Sequence, residues 1–341
     1  MKVIPVGEAV GTVLCHDITE IAPGRTKGRA FKKGHVVREA DIPRLRDLGK
    51  EHLFVWEPQE NSIHENEAAV RLARALAGPG LTFTEPSEGK VKLQAALPGL
   101  LKVKADTLED INSIDQVCVA TLHSNQLVER GQTVGGCRVV PLVVAADKVV
   151  RVEALSRLAG PVVDVLPLRK LRVGIVTTGS EVFHGRIQDK FGPVLRAKIA
   201  ALGSEELRQV FAPDSTEKIA GAIRSLLDEG AELILATGGM SVDPDDVTPA
   251  AIRAAGGLVE VYGTPVLPGS MFMLAHIGEV PVLGVPGCAM YHKTTVLDLV
   301  LPRILAGEEV NRGDIARLGH GGLCLECDVC RYPSCAFGKG S

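Results

Sequence analysis

Three short loops carry residues whose types suit an anionic ligand. They are Thr177-Thr178-Gly179-Ser180-Glu181, Thr237-Gly238-Gly239-Met240-Ser241 and Val285-Pro286-Gly287-Cys288. Glycine and small hydroxyl residues let several backbone N–H groups converge on one anion. The third loop leads into a segment that reads as a long helix, Ala289–Leu305. A helix start there would add unpaired N–H groups and a positive dipole end. Cys288 then has two readings: a small buried residue, or a thiol of lowered pKa and raised metal affinity. Acidic residues follow the loops closely: Asp189 after the first, and Asp243, Asp245 and Asp246 after the second. Carboxylates beside a phosphate would repel it, and Mg²⁺ bridging the two is the usual solution. For Asp189 and Asp214 a helix-capping reading stands level with a site reading. For Asp246 capping is the weaker reading, because Thr248 can cap the helix that follows.

A second group of reactive residues lies near the end of the chain. Cys324, Cys327, Cys330 and Cys335 are spaced C-x2-C-x2-C-x4-C beside Pro333. Four thiols this close would oxidise readily if left without metal, so the cluster is expected to bind one. The spacing is similar to the bacterial ferredoxin run with one extra residue before the last cysteine, which favours an iron–sulfur cluster. A four-thiolate zinc site is the other reading, although zinc pairs usually lie farther apart in sequence. Cys15, Cys118 and Cys137, with Cys288, make up the chain's eight cysteines. Such usage points to a reducing compartment, and the cytoplasm is expected.

The loops need a frame, and an α/β rhythm supplies it. Apolar strands are expected at 171–178, 207–212, 231–237, 258–262, 271–276 and 280–285. Helices are expected at 192–201 and 215–228, the latter capped by Asp214, and from Thr248-Pro249 to Gly256-Gly257. Alternation of this kind means a three-layer, mostly parallel α/β sheet, whose ligands bind at the carboxyl ends of the strands. The preceding residues, 1–168, read as α+β material that could form two subdomains. Strands are expected at 3–14, 52–56, 90–97, 116–122 and 133–140, and helices at 39–48, 67–77 and 147–158. Residues 307–341 form a glycine-bearing tail around the cysteines.

Composition bounds the rest. At 341 residues the chain is expected to hold two or three domains. With 38 basic and 41 acidic residues the net charge is −3, which argues against a nucleic-acid binder. No apolar run is long enough to span a membrane. The basic run Arg25, Lys27, Arg29, Lys32 and Lys33 reads as a solvated face.

The set Thr178-Gly179-Ser180-Glu181, Gly185-x-Ile187-x-Asp189, Gly238-Gly239-Met240-Ser241-Val242, Asp245-Asp246-Val247-Thr248-Pro249 and Val285-Pro286-Gly287 resembles the molybdopterin-binding domain of molybdenum cofactor biosynthesis. The resemblance covers Leu171 to about Leu305. The long preceding region is similar to the molybdotransferase arrangement. It implies that the first two loops hold the pterin and its phosphate, and that Asp246 sits at the catalytic acidic position with Asp189 and Glu181 near it. It further implies adenylated molybdopterin as substrate, Mg²⁺, molybdate insertion with release of AMP, and a homodimer. Two elements depart from the family. Pro286-Gly287-Cys288-Ala289 replaces Pro-Gly-Asn-Pro, and Pro268-Gly269-Ser270-Met271 replaces Pro-Gly-Lys-Pro, which removes a lysine. These losses leave a second reading, a non-catalytic module that binds the finished cofactor and delivers it to a molybdoenzyme.

Overall fold

The computed structural model describes residues 2–20, 28–55 and 61–340. Trp56, Arg25 and Lys27 lie outside the described residues. The chain divides into two compact units. The first comprises Met1–Leu97, Val103–Leu122 and Glu129–Val165. The second comprises Pro98–Lys102, His123–Val128 and Leu166–Ser341.

The second unit is built on six strands: β1 (Arg172–Thr178), β2 (Glu205–Ala212), β3 (Leu233–Thr237), β4 (Leu258–Tyr262), β5 (Met273–Ile277) and β6 (Val280–Val285). Their order across the sheet is β2-β1-β3-β6-β5-β4. β2, β1, β3 and β6 are parallel neighbours, and β5 runs antiparallel to both β6 and β4. The expected mostly parallel sheet is present, with one reversed strand.

Six helices accompany it: α1 (Ser180–Phe183), α2 (Phe191–Ala201), α3 (Thr216–Asp228), α4 (Thr248–Ala254), α5 (Val296–Leu305) and α6 (Arg312–Arg317). Strand residues alternate between two cores, as the pleat dictates. Val173, Ile175, Leu233, Leu235 and Leu283 pack with α2 and α5. Val176, Ile234, Ala236 and Val282 pack with α3 and α4. Helices therefore cover both faces, which explains why these strands read as almost unbroken apolar runs.

One expected element is divided. Instead of a helix from Ala289, a short 3₁₀ turn at Gly287–Met290 is followed by five residues and then by α5. Thr295 breaks the run. Its side chain accepts the Leu297 amide at 3.3 Å, while Asp298 accepts the Thr295 amide at 2.7 Å, a reciprocal cap that fixes the helix start.

The cysteine-bearing end packs onto the same core. Leu318 and Phe337 are buried with α5. The Leu267 amide donates to Gly322 and the Cys324 amide donates back to Leu267, both at 2.8 Å.

The first unit holds an antiparallel sheet in the order Leu81–Phe83, Lys90–Ala95, Thr133–Val139, Val117–Thr121. Helices Glu65–Leu76, Ala105–Asn112 and Ala146–Ala159 pack with it and with one another. The expected strand over 3–14 stops early. It is Lys2–Pro5, followed by a 3₁₀ turn at Val6–Glu8 and a left-handed Gly11. Among the described residues no helix is long and apolar enough to cross a membrane.

Candidate functional site

In the sheet register Thr177 lies beside Thr237, and Thr237 beside Val285. The three sequence-predicted loops therefore leave the sheet at one level along its carboxyl edge. There the first two, with Met290 and Tyr291 just beyond the third, border a cavity of about 370 Å³. Of the predicted residues, Thr178, Gly179, Glu181, Asp189, Gly238, Gly239, Asp245 and Asp246 line it. Ser180, Ser241, Asp243, Pro286, Gly287 and Cys288 do not.

Hydroxyl groups lock the first two loops together. The buried Thr248 hydroxyl donates to the Gly238 carbonyl at 2.8 Å. Its single proton is then spent, so the Thr178 hydroxyl, 3.1 Å away, donates to it. The Thr248 amide also donates to the Gly239 carbonyl. Thr248 was expected as a helix cap, but Val247 takes the cap position. Gly238 and Gly239 have φ of +91° and +53°. A Cβ on Gly238 would press into the Thr178 carbonyl and stand 2.6 Å from its hydroxyl. Only glycine permits this close approach. Among the described residues the Gly239 amide has no acceptor, so it remains open to an anion.

The acidic residues divide by employment. Asp189 accepts the amides of Phe191 at 2.9 Å and Gly192 at 3.1 Å, and the Gln209 side-chain amide at 2.7 Å. It thus holds the start of α2. Asp214 accepts the Ser180 amide at 2.8 Å, and the Ser180 hydroxyl accepts the Asp214 amide at 3.3 Å. This corrects the expected cap for α3, which is Ser215, accepting from Lys218. Asp214 staples the first loop instead and joins the cavity wall. Asp246 accepts the Asp243 amide at 3.2 Å and so closes its own turn. Among the described residues, the side chains of Glu181 and Asp245 have no hydrogen-bond or ion-pair partner.

Cys288 departs from the reading as an activated thiol. The α-helix starts eight residues later, so no dipole end faces it. Burial pushes the thiol pKa up, not down. The nearest helix start offers nothing in exchange, because Thr295 and Asp298 occupy its amides.

The structure adds wall residues that the loops alone did not suggest. Lys190 brings a cation to a cavity whose other charged walls are Glu181, Asp189, Asp214, Asp245 and Asp246. It follows directly on Asp189, so its position was readable from the loop. Tyr291 and Met290 close another side. Gln209 links Asp189 to the Thr177 hydroxyl at 2.8 Å.

Tyr291 also borders a second cavity, of about 480 Å³, whose walls include Cys324, Cys327, Cys330 and Cys335. The Thr294 hydroxyl lies 3.4 Å from the Cys330 sulfur. That contact, with the Tyr332 amide, holds the Cys330 thiol below its ordinary pKa. Among the described residues no three His, Cys, Asp or Glu side chains come together as a single-ion site. The four cysteines, read from sequence as an iron–sulfur or a zinc site, are thus not gathered around one point, and the acidic residues of the first cavity do not converge on one point either.

The first unit has its own cavity, of about 620 Å³, bordered by Cys15, Lys33 and His64. The His64 Nε2 lies 2.8 Å from the Cys15 carbonyl, and Lys33 Nζ lies 3.0 Å from Nδ1. Burial pushes both pKa values down.

Residues 174–306 match the family described as a probable molybdopterin binding domain, and residues 3–57 match a domain of unknown function. A CinA-like protein of Mycobacterium sp. (strain MCS) is 38% identical over 81 residues, which is 24% of this chain and 19% of that protein. A CinA-like protein of Mycolicibacterium gilvum (strain PYR-GCK) is 40% identical over 77 residues, 23% of this chain and 18% of that protein. The chain thus spans about a fifth of the length of these relatives. The molybdopterin biosynthesis enzyme MoaB of Thermus thermophilus is 26% identical, with a TM-score of 0.34, over 40% of this chain and 98% of that one. The matched residues 174–306 all lie within the second unit.

Proposed function

We propose that this domain binds adenylated molybdopterin, releases AMP from its phosphate with Mg²⁺, and passes molybdate to the pterin's dithiolene. The observation that carries the reading is the cradle formed by Thr178, Gly238, Gly239 and Thr248 beside two unengaged carboxylates, Glu181 and Asp245. Mg²⁺ sites commonly use one or two carboxylates and take their remaining ligands from phosphate and water. The lack of three converging acids is therefore compatible with the metal, and the donor chemistry fits. Asp245 and Asp246, with Glu181 near them, would hold it. When bound, Mg²⁺ supplies positive charge against that of the phosphoanhydride.

The chain's own groups do the rest. The open Gly239 amide and Lys190 bind a phosphate oxygen. Asp189 keeps α2 and the Gln209–Thr177 link in place, so the wall does not yield when the ligand enters. Asp246 orients the attacking water. Water adds at phosphorus while its proton passes to the Asp246 carboxylate and on to solvent, the anhydride P–O bond breaks, and AMP and the pterin's own phosphate separate.

The second reading, a binding and delivery module without chemistry, has one observation in its favour. Asp189, Asp214 and Asp246 are all already engaged in holding the loops. A homodimer follows from the resemblance alone, and a molybdoenzyme client belongs to the delivery reading. The cytoplasm suits the eight free thiols. A metal at the tail cysteines has no part in this reading.

The deciding experiment incubates anaerobically purified protein with adenylated molybdopterin, molybdate and Mg²⁺. AMP release that disappears in Asp246→Asn supports the enzyme. Tight pterin binding with no AMP release from the wild-type chain refutes it in favour of delivery.

A further inference from the structure

We propose that the second cavity of the α/β unit is an iron–sulfur site, in which Cys324, Cys327, Cys330 and Cys335 ligate one four-iron cluster. All four thiols border a single cavity of about 480 Å³, yet no three donors among the described residues gather at one point. The spacing favours a cluster over zinc: zinc pairs usually lie farther apart in sequence, whereas the Cys-x2-Cys-x2-Cys run is that of bacterial ferredoxins. The thiols stand on an open loop and can be drawn together by the body they ligate. A run of three cysteines at equal spacing suits three corners of such a body, with the fourth supplied from beyond Pro333.

The frame of this chamber is fixed at both ends. Cys324 is held by the hydrogen bond its backbone N–H donates to the Leu267 carbonyl, and Phe337, two residues past Cys335, is buried in the main core. Between them the loop stands open. Leu323, Leu325 and Val329 are 64%, 79% and 73% exposed while bordering the cavity. Apolar side chains around the chamber are what a cluster of low solvent access would need as its cover. Lys293 and Arg331 border the space together with Glu326 and Asp328, so the charged walls are balanced.

The test uses the full chain, purified anaerobically and incubated with iron salts and sulfide before desalting. The expected result is about four irons and four sulfides per chain, with visible absorbance that bleaches on reduction and a paramagnetic signal in the reduced state. Cys327→Ala should lose most of the iron while keeping the wild-type circular dichroism, because Cys327 is exposed and outside the core. Cys118→Ala, in the first unit, should keep all of it. One zinc per chain with no iron, no metal of either kind, or a full cluster in folded Cys327→Ala would each overturn the proposal. Pterin binding is measured separately, so failure here leaves the function of the first cavity untouched.

Discussion

The two cavities that share Tyr291 are built in opposite ways. The one at the strand ends is made largely of backbone: consecutive left-handed glycines, an open amide, and threonine hydroxyls that tie one loop to the next. Its frame is the sheet itself, so its shape is set before any ligand arrives. The tail cavity is made of side chains on a loop secured only at its ends, and its donors stand apart. The difference teaches that preorganisation follows the frame. A phosphate-sized anion needs a finished cradle, because amides cannot travel. Thiols on an open loop can be drawn in by the body they ligate.

The largest test of this contrast is Gly238→Val. The left-handed φ and the approach to Thr178 leave no room for a side chain, so the α/β unit should lose about 3 kcal/mol. Urea denaturation would show it, and pterin binding should vanish with it. Survival of the cradle in this variant would break the claim that its shape is fixed. A smaller effect is expected for Thr248→Val, which keeps the volume but leaves the Gly238 carbonyl without its donor. About 1.5 kcal/mol should be lost, again by denaturation, with weakened rather than abolished pterin binding. Filling or emptying the tail should matter least to the strand-end cavity. Removing iron with a chelator should expose the tail to proteolysis while pterin affinity stays within about threefold, less than 1 kcal/mol.

Acid should separate the units as well. Burial pushes the His64 pKa below its ordinary 6.5, against the pull of the Cys15 carbonyl, and Lys33 adds to the drop. His16 moves the same way, by burial and then Lys50. An unfolded histidine binds its proton near 6.5, while the folded one resists. Stability from these groups is therefore complete above that pH and drains as the pH falls toward the folded values. Glu65, raised by burial, opposes this at lower pH. Denaturation at pH 7.5 and 5.5 should show the first unit weakening on acidification, and His64→Gln should flatten the change.

Much of the α/β unit was legible because its information is local. Strands buried on both faces announce themselves as apolar runs, and the loops between them carry glycine and threonine where backbone must come close. The break before α5 was also written locally, in Tyr291–Thr295 and Asp298, but reading Ala289–Leu305 as one helix ran across it. What escaped was choice among partners. Thr248 before a proline has the form of a cap, and only the folded sheet shows that its hydroxyl reaches Gly238. Asp214 could cap a helix or hold Ser180, and both are one short side chain away. The first unit was opaque for the same reason on a larger scale. Its strand neighbours are far apart in sequence, and an alternating segment such as Lys90–Ala95 names its face but not its partner.

The chain has three tyrosines, at 262, 291 and 332, all in the second unit. The Tyr262 hydroxyl donates to the Met240 carbonyl at 2.9 Å, directly behind the glycine loop. Tyr291 borders both chambers. Tyr332, its pKa pushed up to about 12 by burial, by Asp298 and by Cys335, sits among the tail thiols. Each phenol is thus an optical reporter in a different place: behind the glycine loop, between the two chambers, and among the tail thiols. Ultraviolet difference spectra of single Tyr→Phe variants would assign the signals one by one. The arrival of an anion at the sheet edge and of iron in the tail could then be followed separately, in the same cuvette, with no label attached.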